Sequence, residues 1–159
     1  MQYAIDLASK SEQKSFVHLR CPKSFVHLQC PNSFEVPVAS VIAIGPDIIS
    51  YSNNRVETDN IAWHHAEFLA IEKAINKLNT KYLDKASIYI TLEPCILCSA
   101  LLDRVRIHEI YFGSYSLQQS SLTKNLNLFP YLLSNTTIIG GLFDNKCFQL
   151  IKKFFNNLR

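Results

Sequence analysis

At 159 residues and 18.2 kDa the chain is long enough for one domain with a single continuous core. With 48% hydrophobic and 18% charged residues it excludes intrinsic disorder, and no run approaches the roughly 18 apolar residues of a membrane span. A net charge of +3 and a pI near 8.6 suit a polyanionic partner without requiring one, and they fall short of a dedicated nucleic-acid binder.

Residues 1–10 place Ala4, Ile5 and Ala8 at helical spacing, which predicts a short opening helix. They show no basic stretch followed by an apolar one, so no signal peptide is read and a cytoplasmic protein is expected. The five cysteines are an odd number, which favours metal ligation or burial over a disulfide framework.

From Ser15 the nonapeptide Ser15-Phe-Val-His-Leu-Arg-Cys-Pro-Lys23 recurs as Ser24-Phe-Val-His-Leu-Gln-Cys-Pro-Asn32. Two copies are too few for a solenoid, so residues 15–32 read as a duplicated insertion in a single domain spanning 1–159. Its His18, Cys21, His27 and Cys30 have the composition of a closed second zinc site, although an exposed insertion explains the prolines and the repetition better.

Beyond the repeat, 38–44 and 48–53 are β-rich runs joined by Gly45-Pro46-Asp47, the pattern of a hairpin. Residues 62–78 carry Phe68, Ile71, Ile75 and Leu78 on one helical face. A strand follows at 87–92, then a helix opened by Pro94 and running to about Asp103. Short strands are expected at 110–112 and 137–139, with a short helix near 126–133 between them and Gly140-Gly141 ending the second. The closing stretch 144–158 has Cys147, Leu150, Ile151, Phe154 and Phe155 at helical spacing, so Cys147 belongs to a packed face. Lys152, Lys153 and Arg159 on that helix read as a solvated basic face. Five strands alternating with helices after a hairpin argue for a three-layer α/β/α sandwich around a central mixed sheet.

Chemistry is concentrated at two helix beginnings: His65-Ala66-Glu67 and Pro94-Cys95-Ile96-Leu97-Cys98. Cysteines three apart in a first helical turn share a face, and the helix N-terminus favours thiolates. Adding one imidazole makes a three-ligand set suited to zinc, and three protein ligands leave a fourth position for water. Glu67, two residues beyond His65, stands beside the metal without having to ligate it, where it can exchange protons.

H-x-E followed by P-C-x-x-C is the known signature of zinc deaminases. Through it the chain resembles the cytidine/deoxycytidylate deaminase superfamily, and most closely the bacterial tRNA adenosine deaminases. Glu35-Val36-Pro37-Val38-Ala39-Ser40-Val41-Ile42 is similar to the family's first strand, Asn54-Arg55 to its substrate-binding asparagine and neighbour, and Thr91 to Cys98 to its zinc segment. Gly140-Gly141-Leu142 and Cys147 to Phe155 are similar to its closing strand and helix. The resemblance implies a cytidine deaminase-like fold, one catalytic Zn2+ per chain, a homodimer, and conversion of adenosine to inosine at the wobble position of a tRNA anticodon loop. Within that reading Asn54 orients the base or sugar, and Trp63 is a wall against which a splayed base stacks. Asn54 also suits a turn, and Trp63 with His64 also suits simple packing at a helix entrance.

The sequence departs from the family at Ala39, where glycine is usual, and at Trp63-His64, where small residues are usual. It also departs at 114–121, which lacks the usual Asp, Lys and Gly. These positions bear on the pocket and its RNA contacts rather than on the metal. Two other functions share the metal set: deamination of a free base or nucleotide (cytosine, guanine or dCMP type), and a non-catalytic zinc-binding partner subunit. An intact Glu67 counts against the latter.

Overall fold

The computed structural model describes residues 1–9 and 35–157. The duplicated segment at 15–32, with His18, Cys21, His27 and Cys30, lies outside the described residues, as does Arg159. Among the described residues no helix is long and apolar enough to cross a membrane.

Helix α1 (Gln2–Ser9) precedes a hairpin of β1 (Ala39–Ile44) and β2 (Asp47–Asn53). Gly45 turns the hairpin in the left-handed region at φ +54°, a conformation that glycine adopts without strain. Then come α2 (Val56–Asp59), α3 (Ala66–Leu78), β3 (Ser87–Leu92), α4 (Ile96–Arg104), β4 (Glu109–Ser114), α5 (Leu122–Asn125), β5 (Thr137–Ile139) and α6 (Asp144–Asn157). The five strands form one sheet in the order β2-β1-β3-β4-β5. Its first two pairings are antiparallel and its last two parallel, because β3, β4 and β5 are joined by crossovers long enough to carry helices.

Strand alternation divides the sheet into two packed faces. Ile42 on β1, Ile88 and Ile90 on β3, and Ile110 and Phe112 on β4 are buried against α3 and α4, with Ala66, Ala70, Ala74 and Leu102. Each fully buried side chain of this size contributes about 1.5–3 kcal/mol. The small Ala66-Ala70-Ala74 stripe lets α3 lie close on the hairpin strands. On the opposite face Ala39 and Val41 pack with Ala4, Tyr51, Tyr89 and Leu150, which belong to α1, β2, β3 and α6. The expected three layers and mixed sheet are therefore present. Lys73 and Lys77 of α3 also donate to the carbonyls of Tyr51 and Ile49, answering acceptors on the edge strand β2.

Two helix starts and one expected helix differ from the sequence expectation, and β4 runs longer than the expected 110–112. Helix α3 starts at Ala66 rather than 62, and α4 at Ile96 rather than Pro94. In both cases the residue in front, His65 or Cys95, is extended (ψ 155° and 168°), so each donor side chain leaves from an N-cap position rather than from within a helix. The helix expected near 126–133 is absent. Residues 126–133 form turns, and the short helix α5 lies earlier. Pro130 cannot donate within a helix there, and Leu133 has φ +57° while its N–H donates to Asp103.

Candidate active site

The hairpin returns the chain at Asn53, and the N–H of Arg55 donates to the carbonyl of His64 at 2.9 Å. This tie fixes the turn that delivers His65 to the start of α3. Strand β3 ends at Leu92, and three residues later Cys95 begins the second turn of interest. Both helix beginnings thus stand at the carboxyl ends of β2 and β3, where crevices of open α/β sheets form.

There His65 Nδ1 lies 3.6 Å from Cys95 Sγ and 3.3 Å from Cys98 Sγ. The three donor atoms all lie within 4.8 Å of one another, and among the described residues this is the one such group of three. Zinc bonds of about 2.3 Å to sulfur and 2.0 Å to nitrogen imply tetrahedral nitrogen–sulfur edges of about 3.5 Å. The observed spacings match that, and the soft sulfur pair with one imidazole is a donor set that suits zinc.

The electrostatics agree. Cys95 is held down to about 4, chiefly by a hydrogen bond from the Cys98 thiol, with His65 and the Cys98 N–H assisting against burial. Cys98 is pushed far up, because it keeps the proton that it donates to Cys95 and is itself buried. His65 is raised, first by its hydrogen bond with Cys95.

Glu67 is 4% exposed, on the first turn of α3. Burial raises its carboxyl above the usual range, offset in part by its own backbone N–H, then by the nearby His65 and last by the Cys98 thiol. A carboxyl that is costly to ionise and adjacent to a thiol pair is suited to taking and returning protons near neutrality.

The other two sequence candidates sit differently. Asn54 is buried, and its Nδ2 donates to Glu35 Oε2 at 3.0 Å, while Glu35 Oε1 accepts the Thr58 N–H at 2.6 Å. Its amide is therefore oriented by Glu35 and is not bonded into the His-Cys-Cys group. Trp63 is 52% exposed, with its ring edge-on to His64 at 6.4 Å. His64 Nδ1 contacts Asp59 at 2.7 Å, and Asp59 also takes Arg55 through both oxygens. The Trp63-His64 pair thus occupies the outside of the turn, braced by an acidic residue.

Three acids that sequence reasoning did not single out therefore shape this region: Glu35, Asp59 and Glu93. Glu93 is buried and accepts three hydrogen bonds from Ser116 and Thr123. The available signal was an acidic residue set among apolar ones, as in Glu35-Val36-Pro37-Val38 and Leu92-Glu93-Pro94.

The sequence profile of the family described as the cytidine and deoxycytidylate deaminase zinc-binding region matches residues 10–114. The chain belongs to this family. It is 35% identical over 126 residues to a tRNA-specific adenosine deaminase of Aquifex aeolicus (strain VF5), covering 79% of this chain and 83% of that one. A tRNA-specific adenosine deaminase of Rickettsia felis (strain ATCC VR-1525 / URRWXCal2) is 33% identical over 129 residues, covering 79% and 90%. Among solved structures, one described in work on A-to-I editing by tRNA:A34 deaminases at the wobble position of transfer RNA superposes with a TM-score of 0.65. It is 27% identical and covers 72% of this chain and 85% of that one. Membership accounts for a sulfur-rich donor set beside a buried acid, and it makes the chain a deaminase, a hydrolase of the amino group.

Proposed function

We propose that this deaminase converts adenosine to inosine at the wobble position of a tRNA anticodon loop, with one zinc ion held by His65, Cys95 and Cys98. The observation that carries the chemistry is the convergence of those three donors next to the buried carboxyl of Glu67. The names of the relatives support the substrate. When bound, zinc supplies Lewis acidity at neutral pH.

Glu67 accepts a proton from the attacking water and delivers it to the ring nitrogen beside the carbon under attack. It then carries the second water proton to the departing amine. The C6–N bond breaks, C6 keeps the water oxygen as a carbonyl, and ammonia leaves; water and adenine are consumed in equal amounts. Asn54, its amide set by Glu35, hydrogen-bonds the base or sugar. Trp63 offers its exposed ring to a base splayed from the loop.

In this reading the active species is a homodimer in the cytoplasm and its partner is tRNA. Incubating the protein with tRNA and, separately, with free bases and nucleotides tests the substrate. Inosine in tRNA digests is expected, and ammonia from free bases alone would overturn the reading. Sedimentation gives the oligomeric state, with two chains per particle expected. Metal analysis is expected to give one zinc per chain; two would point to the histidines and cysteines of the duplicated segment.

A further inference from the structure

Next to the cysteine pair runs a segment that the metal chemistry does not use. Residues 115–121 leave β4, pass along the start of α4 and enter α5. Backbone hydrogen bonds tie both ends of this path to the metal turn. The N–H groups of Glu93, Ile96 and Leu122 donate to the carbonyls of Ser114, Ser120 and Pro94 at 2.8, 2.8 and 3.0 Å. Cys95 itself pairs with Ser121 as an isolated antiparallel bridge.

Side chains then answer the loop's own polar groups. Lys124 Nζ donates to the carbonyls of Leu117 and Gln118, and Asn125 Nδ2 to those of Gln119 and Ser121. On the donor side the Gln118 N–H turns back to Ser116 Oγ, and one buried group, Glu93, gathers donors from both ends of the segment. One Glu93 oxygen accepts the Ser116 N–H at 2.9 Å, and the other accepts the Thr123 N–H at 2.7 Å and its hydroxyl at 2.6 Å. Glu93 is 4% exposed and these three donors are all neutral. A buried carboxylate is tolerated when donors converge on it, and only a carboxylate offers acceptors in both directions. Glutamine in its place would turn an N–H toward either Ser116 or Thr123.

The held loop exposes apolar groups at its free side. Leu117 is 85% exposed, and Tyr115 is braced edge-on against Phe112 at 5.1 Å. Such groups suit the face of a base rather than a phosphate. We propose that Glu93 is a positioning residue that fixes 116–123 as a rigid rim beside Cys95, against which a nucleotide flanking the reacting base is held. The clamp stands on the hydrogen bonds alone, whereas its action on substrate rests on the function proposed above.

The test uses full-length protein loaded with zinc and compares wild type with Glu93→Gln and the milder Thr123→Val. Amide hydrogen exchange, zinc content and steady-state kinetics on an anticodon stem-loop RNA are measured. In Glu93→Gln the zinc content stays at the wild-type ratio, and amides in 116–123 exchange about tenfold faster. Protection in α3 and β3 does not change. KM for the RNA rises about tenfold while kcat stays within about twofold. Thr123→Val gives a smaller change at the same amides, and it decides the clamp if the glutamine variant does not fold.

Wild-type exchange in 116–123 overturns the clamp, as does loss of zinc accompanied by faster exchange throughout α3 and β3. Faster exchange in the loop with an unchanged KM overturns the rim's contact with substrate. If the wild type deaminates no RNA, the proposed function fails, and the exchange pattern still decides whether Glu93 holds the loop.

Discussion

Glu67 carries a carboxyl that water scarcely reaches, and burial keeps it easier to protonate than an exposed glutamate. Replacing it by glutamine preserves volume and removes the exchangeable acid. The deamination rate is expected to fall by about 10²–10⁴-fold with zinc content unchanged. Inosine formation in tRNA measured beside metal analysis separates this from loss of the site; a glutamine variant retaining a tenth or more of the activity would remove Glu67 from the chemistry. Asp59 is the converse case. Hydrogen bonds from Arg55 and then from His64 lower it from 3.8 to about 2. A carboxylate depressed in the folded state adds stability that is present above the unfolded value and is lost as pH falls through the folded one. Melting temperature followed from pH 5 down to pH 2 should therefore fall less steeply in Asp59→Asn than in wild type over that acid range. Equal slopes would mean that the Arg55-Asp59-His64 contacts do not persist in solution.

The elements differ in how far local sequence determines them. Strand Ser87–Leu92 and the hairpin follow from β-branched runs and from Gly45-Pro46, so they lie where periodicity puts them within a residue or two. The starts of α3 and α4 do not, because His65 and Cys95 are pulled into extended geometry by the tie from Arg55 and by the bridge to Ser121. Such contacts are invisible to a local window. The same holds for α6 against the sheet. A Cβ on Gly113 of β4 would lie 2.3 Å from Cys147 Sγ and 2.6 Å from the Thr91 carbonyl. One of these is a buried side chain and the other is backbone, so neither yields easily. Gly113→Ala is expected to destabilise by about 1–3 kcal/mol. Adding Cys147→Ala should restore part of that loss by removing the sulfur, with the contacts to the Thr91 carbonyl and, at 2.9 Å, to the Cβ of residue 147 remaining. Chemical denaturation of the single and double variants checks this, and additive losses would show that α6 does not press on β4 at this point.

At the scale of the whole molecule, the donor set was legible because H-x-E and P-C-x-x-C are short motifs whose geometry is set within one helical turn each. The acids that support them were not, since Glu35 reaches Asn54 across 19 residues and Glu93 reaches Thr123 across 30. The site joins two parts of the fold in the same long-range way. His65 stands at the N-cap position of α3, which packs on the hairpin strands, and the cysteines lie at the start of α4 after β3. An ion shared by His65 and both cysteines, as proposed, would link segments 30 and 33 residues apart. The unfolded chain does not hold that arrangement, so binding adds to folding stability. At free zinc 1,000-fold above its dissociation constant the gain is about 4 kcal/mol, which for a domain of this size moves the melting temperature by about 10 °C. Stripping the metal with a chelator should lower the melting temperature by that order, and adding zinc back should restore it. Cys98→Ser starts lower, because a buried sulfur is replaced, but its melting temperature should no longer respond to zinc. Comparing each protein with and without metal cancels the cost of the substitution itself. If wild type melts at one temperature in chelator and in zinc, or if Cys98→Ser responds as fully as wild type does, these three side chains do not hold the ion in the folded state.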